Sequence, residues 1–200
     1  MTREIMVVPT GGANLASVRS CFQKLNCTLK DVQAPEDILR ADYLVLPGVG
    51  AFASAMATLE KNHFVEALRE RIFQNRPFLG ICLGLQLLAQ ESDESPDTSG
   101  LNVLPVRVRQ LDTGTRILPH MGWNRVLPSP DSRFLQEGNA YFAHSFCLDQ
   151  VPADWQHART QHGESFVAAV EKGRCLAVQF HPELSGQWGL SLLERWLNAA

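Results

Sequence analysis

The sequence predicts an α/β fold: a mostly parallel central sheet flanked by helices, continued by an antiparallel extension. Three observations carry this expectation. As far as residue 88, short apolar runs rich in β-branched residues alternate with stretches of helical period. Such alternation builds strand–helix–strand units whose parallel sheet is covered on both faces. Beyond residue 100 the period shifts toward two, as expected of paired antiparallel strands. Between these halves, the uncharged run Phe78-Leu79-Gly80-Ile81 passes at Cys82 straight into a stretch of helical spacing, with no room for a loop.

Taken in order, residues 5–8 are a first strand closed by Pro9, and Thr10-Gly11-Gly12-Ala13-Asn14 is a tight glycine turn. It lacks the full dinucleotide fingerprint, so a strand–helix turn is favoured over a phosphate site. A helix follows with Leu15, Val18, Phe22 and Leu25 on one face. Residues 28–32 are a second strand. Pro35-Glu36-Asp37 opens a short helix, with proline near its start and acids in its first turn. Residues 43–46 are a third strand, breaking at Pro47 into Gly48-Val49-Gly50, where backbone N–H groups are free to reorient. Helical patterns cover 51–59 and 64–73. After Cys82, Leu83, Leu87 and Leu88 mark a helix with Gln86 and Gln90 between them.

Residues 91–100, rich in Ser, Asp and Glu, read as a solvated loop. Residues 103–108 and 139–148 alternate in part. Glu171-Lys172-Gly173-Arg174 is a hairpin turn, 175–180 a strand, and 186–198 a helix burying Trp188, Leu192, Leu193 and Trp196. Trp123 falls in a turn-like segment. No internal repeat or low-complexity tract interrupts residues 1–200, which are expected to form a single domain.

Composition narrows the function classes. The chain has 200 residues, 45% hydrophobic and 20% charged, ordinary for a globular protein. Its net charge of −3 and pI near 6.1 give no footprint for nucleic acid. No secretory leader or membrane-length apolar run is read, so a cytoplasmic setting without membrane or nucleic-acid partners is expected. Five irregularly spaced cysteines fit a reducing compartment, with Cys21, Cys27, Cys147 and Cys175 as small buried hydrophobes. No metal-ligand spacing occurs, so neither metal nor cofactor is expected. His63, His157 and His162 lie in polar stretches and read as surface residues. His144 and Ser145, adjacent on a strand, point to opposite faces and cannot easily serve one another.

The chemistry concentrates at Cys82. Gly80 and Gly84 stand two residues to either side of it. This is a Gly-x-nucleophile-x-Gly elbow, in which a strained turn presents the nucleophile at the top of the sheet. A helix starting at Leu83 favours a thiolate, and the Leu83 N–H can donate to a developing oxyanion. A cysteine nucleophile needs a base and a group to orient it. His181-Pro182-Glu183 supplies both at the end of the 175–180 strand.

Gly80-Ile81-Cys82-Leu83-Gly84-Leu85-Gln86 together with His181-Pro182-Glu183 resembles the class I glutamine amidotransferases. Pro47-Gly48-Val49-Gly50-Ala51-Phe52, Pro119-His120-Met121-Gly122-Trp123-Asn124 and Tyr141-Phe142-Ala143-His144-Ser145 resemble more narrowly the HisH-type glutaminase subunits of imidazole glycerol phosphate synthase. The family's first strand usually ends in Asp, where this chain has Pro9. The resemblance implies glutamine hydrolysis through a Cys82–His181–Glu183 triad. It implies an oxyanion site from Leu83 and Gly48, Val49 and Gly50. It assigns Gln86, Ser145 and Phe146 to glutamine, and Pro119 to Asn124 to docking of a HisF-type cyclase as heterodimer partner. The alternatives are the glutaminase of another synthase, of anthranilate or aminodeoxychorismate type, a stand-alone cysteine hydrolase, and a non-catalytic binding module on the same fold.

Overall fold

The computed structural model describes residues 2–11 and 15–199. Gly12, Ala13 and Asn14 of the expected glycine turn lie outside them.

The first half alternates as its apolar periods require: β1 (Arg3–Val7), α1 (Leu15–Lys24), β2 (Cys27–Asp31), α2 (Pro35–Arg40), β3 (Tyr43–Gly48), α3 (Phe52–Lys61), α4 (Phe64–Phe73) and β4 (Phe78–Cys82). A four-residue helix α5 (Leu83–Gln86) leads into β5 (Ala89–Ser92) and β6 (Leu104–Gln110). Then come β7 (His120–Pro128), β8 (Gly138–His144), β9 (Phe146–Cys147), β10 (Gln156–His162), β11 (Glu164–Lys172) and β12 (Cys175–Val178). A 3₁₀ turn (Pro182–Leu184) and α6 (Gly186–Asn198) complete the chain's described elements.

The main sheet runs β2-β1-β3-β4-β12-β11-β10-β7-β8. Pairing is parallel from β2 to β12 and antiparallel from β12 to β8. The sheet is therefore evenly mixed, and its antiparallel extension is as wide as its parallel half. The last strand in sequence, β12, lies between β4 and β11, with Val178 opposite Ile81. This insertion brings the segment after β12 beside the end of β4.

Strand alternation sends Leu44 and Leu46 to one face, where they join Ile38, Phe52, Met56, Phe64 and Leu68 from α2, α3 and α4. Val45, with Leu79 and Ile81, packs on the other face against Val18 and Phe22 of α1 and Leu192, Leu193 and Trp196 of α6. Between α4 and the sheet lies Arg71, fully buried. Its guanidinium donates to the carbonyls of Ile38 (2.6 Å), Ala41 (2.9 Å), Asp42 (3.3 Å) and Pro77 (2.7 and 3.1 Å). Fixed five-donor geometry lets one side chain satisfy backbone acceptors at the end of α2 and at the entries of β3 and β4.

Several expectations are corrected. The helix after Cys82 is one turn, because Leu87 and Leu88 are both fully buried and the Leu88 carbonyl accepts from Val103 (2.9 Å) and Leu104 (2.8 Å). Gln90 consequently lies in β5, and so short a helix has little macrodipole to favour a thiolate. The 91–100 stretch is anchored at its start: Asp93 pairs with Arg107, and the Glu94 Oε2 accepts the Phe52 N–H (2.7 Å) at the head of α3. Residues 119–124 are mostly strand: β7 pairs with β8 from His120 onward, placing Trp123 opposite Tyr141. The 175–180 strand ends at Val178.

Backbone crowding at the elbow is extreme. A Cβ on Gly84 would lie 2.0 Å from the Leu46 carbonyl oxygen, and one on Gly80 2.9 Å from the Gly84 oxygen. A Cβ on Gly48 would meet that of Leu83 at 2.6 Å. Gly84→Ala is expected to lower unfolding free energy by about 3 kcal/mol, since no flexible atom can move aside. Arg71→Met should cost about 3 kcal/mol or more by leaving several buried carbonyls unpaired. Urea unfolding followed by circular dichroism measures both; midpoints equal to that of the unaltered chain would contradict them.

Candidate active site

The nucleophile candidate sits in a strained turn. Cys82 has φ 53° and ψ −105°, a region side-chain-bearing residues rarely occupy. β4 ends there, α5 begins at Leu83, and Gly48 at the end of β3 is paired beside it. The sulfur lies 3.9 Å from the Ala143 carbonyl, a thiol-donor contact, and accepts from Gln179 Nε2 at 3.7 Å.

The insertion of β12 delivers the base. Three residues past Val178, the chain is pinned where the His181 N–H donates to the Tyr141 carbonyl (2.8 Å). Pro182 then opens the 3₁₀ turn that curls Glu183 back, and its Oε1 lies 2.9 Å from His181 Nδ1. Both side chains are buried, and the His181 ring interacts electrostatically with the Cys82 side chain. With Nδ1 turned to the carboxylate, Nε2 is the nitrogen left for the sulfur. Burial works against an imidazolium here, but the interactions with Cys82 and Glu183 outweigh it and raise the His181 pKa. The structure thus brings together all three residues of the expected triad. Desolvation pushes Cys21 up to about 11 and Cys147 to about 12, and raises Cys27 and Cys175 too. These four thiols are inert packing.

A cavity of about 300 Å³ opens beside the sulfur, and Cys82, Leu83, Gln86, Val49, Gly50, Ser145 and Phe146 are among its lining residues. The oxyanion candidates Leu83, Val49 and Gly50 thus line the same cavity as the glutamine candidates, whereas Gly48 stays behind it in β3, paired with Cys82. Gln86 is nearly buried, and its Nε2 donates to the Phe146 carbonyl (2.8 Å) and to Gln179 Oε1 (3.2 Å). Its amide hydrogens are thereby committed, and it has only its Oε1 acceptor to offer a ligand. A larger cavity of about 780 Å³, between Arg69, Phe73, Trp155 and Lys172, lies at the opposite, amino end of β12 and holds none of these groups.

Sequence reading missed three contributors. Gln179, fully buried beside the sulfur, is the one polar residue in the apolar run before His181 and stands at the two-residue spacing that shares its face. Glu94 lines the cavity although its local sequence reads as a solvated acidic run. His162 is no plain surface residue: its ring stacks on His120 at 4.1 Å.

Of the hexapeptide expected to dock a partner, Met121 and Trp123 are exposed, at 65% and 59%, on one face of β7. His120 faces the other way and is buried. Pro119 and Met121 reach the rim of the cavity, as does Val49, itself 40% exposed. Gly122 continues β7 opposite Phe142, and Asn124 Nδ2 donates to the Gln161 carbonyl (2.7 Å). Trp123 leans edge-on against Tyr141 and approaches Gly186, just past Glu183. Among the described residues, no cluster of His, Cys, Asp and Glu has a metal-binding arrangement, and no helix is long and apolar enough to cross a membrane.

Comparison with known proteins agrees with this geometry. The family described as Glutamine amidotransferase class-I matches residues 7–199. The imidazole glycerol phosphate synthase subunit HisH of Methanothermobacter thermautotrophicus is 42% identical over 197 residues, 97% of this chain and 98% of that protein. The chloroplastic imidazole glycerol phosphate synthase hisHF of Arabidopsis thaliana is 44% identical over 202 residues, which span 97% of this chain but 34% of the plant protein. A crystal structure of a glutamine amidotransferase superposes with a TM-score of 0.77 at 19% identity, covering 97% of each chain, which speaks to the fold alone. The chain belongs to the class-I glutamine amidotransferases, and within them to the HisH-type subunits.

Proposed function

We propose that residues 1–200 act as one glutaminase domain that hydrolyses L-glutamine through a γ-glutamyl thioester on Cys82. The ammonia passes to a separate HisF-type cyclase, which makes imidazole glycerol phosphate and AICAR in histidine biosynthesis. The observation that carries this reading is the His181 ring, held by Glu183 at 2.9 Å and coupled electrostatically to Cys82 in its strained turn.

His181 Nε2 takes the thiol proton as the sulfur attacks the side-chain amide carbon. The tetrahedral oxyanion accepts from the Leu83 N–H and from the backbone of Gly48, Val49 and Gly50. His181 then gives its proton to the departing nitrogen, which leaves as ammonia. A water molecule, deprotonated by the same imidazole, attacks the thioester carbon; the sulfur leaves and glutamate is released. Glu183 keeps the ring oriented and balances the imidazolium formed in each half.

In the cavity, the Gln86 Oε1 and the Glu94 carboxylate suit the α-ammonium, since both only accept. The backbone of Ser145 and Phe146 takes the α-carboxylate. Val49 and Met121 form an exposed apolar rim at the cavity mouth, and Trp123 extends the apolar face of Met121 along β7, as expected of a docking edge beside the exit of a reactive product.

With a HisF-type cyclase present, Cys82→Ala should abolish glutamine-dependent synthesis while synthesis from ammonium salt persists, because the two half-reactions lie in different chains. Glutamine-dependent turnover surviving in this variant would overturn the reading. Glu183→Gln should keep the fold and lower glutaminase kcat by about 10²-fold or more, since the imidazolium loses its charge partner and its tautomer control. Undiminished kcat, measured as ammonia release, would remove Glu183 from the mechanism.

A further inference from the structure

A second chain of hydrogen bonds approaches the cavity from behind. His120 and His144 face each other across β7 and β8, both buried, with His120 Nδ1 and His144 Nε2 3.1 Å apart. His144 Nδ1 lies 2.9 Å from the Phe146 carbonyl oxygen. A carbonyl only accepts, so Nδ1 of His144 carries the hydrogen. Desolvation lowers His120 to about 4 and His144 to about 3, so both rings are neutral near pH 7. In neutral His144 the Nε2 is then the acceptor, and His120 must donate from Nδ1. The direction of the chain is fixed: His120 to His144 to the Phe146 carbonyl.

That carbonyl is also the acceptor for Gln86 Nε2 at 2.8 Å. Its position decides which end of the Gln86 amide faces the cavity. With the carbonyl in place, Gln86 presents oxygen to a ligand. With the carbonyl displaced, the amide loses the shorter of its two acceptors and keeps only Gln179 Oε1 at 3.2 Å, so its NH₂ is freer to turn toward the cavity.

We propose that His120 is a positioning residue for glutamine: by donating to His144 it fixes the tautomer that holds the Phe146 carbonyl, and so holds Gln86 with its acceptor toward the substrate ammonium. This rests on the glutaminase reading above. His120 touches no substrate; its ring is stacked between His162 at 4.1 Å and Phe142 at 4.9 Å, and Met121, its neighbour on β7, belongs to the exposed rim.

The test compares two variants in complex with a HisF-type cyclase. His120→Phe keeps an aromatic ring in the stack and removes the donor. His120→Asn places an amide N–H where Nδ1 stood but vacates the stack. Stability should therefore fall more in His120→Asn, read as the midpoint of thermal unfolding. Glutamine binding should run the other way. His120→Phe should raise the KM for glutamine about tenfold, of the order expected for one lost neutral hydrogen bond, with kcat within about twofold of wild type. His120→Asn should stay within about threefold of the wild-type KM. An unchanged KM in His120→Phe, or a KM in His120→Asn as high as in His120→Phe, would overturn the assignment. Absence of glutamine hydrolysis by the wild-type complex would instead overturn the glutaminase reading itself.

Discussion

The contact of Gly84 with the Leu46 carbonyl oxygen sets the geometry of the whole site. At 2.0 Å from a hypothetical Cβ, that oxygen leaves room for hydrogen only. Because α5 can press onto β3 this closely, the chain turns at Cys82 within a single residue. The strain of φ 53° at a side-chain-bearing position, typically about 1–3 kcal/mol, is held there by packing on all sides. Gly80 and Gly48 extend the same close approach to the neighbouring strands. The result is a sulfur at the carboxyl ends of β3, β4 and β12 together, where doubly wound sheets place their ligands.

The local chemistry was legible wherever a short segment carries its own geometry. Glycines two residues to either side of Cys82 announce an elbow, because only a tight turn needs small neighbours at both places. His181-Pro182-Glu183 announces a curled-back carboxylate, because proline ends the strand and starts the turn. The alternation of apolar runs up to β4 likewise specified the parallel half. What could not be read were features decided by long-range partners. The length of α5 depends on Val103 and Leu104 bonding to the Leu88 carbonyl. The strand character of 119–124 depends on β8, some twenty residues on, since Gly122 and Pro119 read locally as a turn. Glu94 looked like one more surface acid until the head of α3 was placed against it. Gln179 was hidden for the opposite reason, as a lone polar residue absorbed into an apolar run.

Buried polar groups around the cavity form a connected set in which each amide or imidazole has a defined donor direction. Cys82, Gln179, Gln86, Phe146, His144 and His120 follow one another without an intervening gap. Such networks are costly if partly satisfied and rigid when complete. Under the proposed glutaminase reading, that rigidity suits a ligand whose α-ammonium and α-carboxylate, both small and strongly hydrated, need partners of fixed direction. The same strand that ends this network at His120 carries Met121 and Trp123 on its outer face, so the buried network and the exposed apolar face share one backbone.

The central claim is that Cys82, alone among five cysteines, is the nucleophile toward glutamine. It is tested most directly by treating the complex of this chain and a HisF-type cyclase with a glutamine analogue bearing a diazoketone in place of the side-chain amide, then mapping the adduct by peptide mass spectrometry. The account predicts one adduct per chain, on Cys82, whose formation is slowed by L-glutamine. An adduct on Cys21, Cys27, Cys147 or Cys175, or labelling of Cys82 that L-glutamine does not slow, would contradict it.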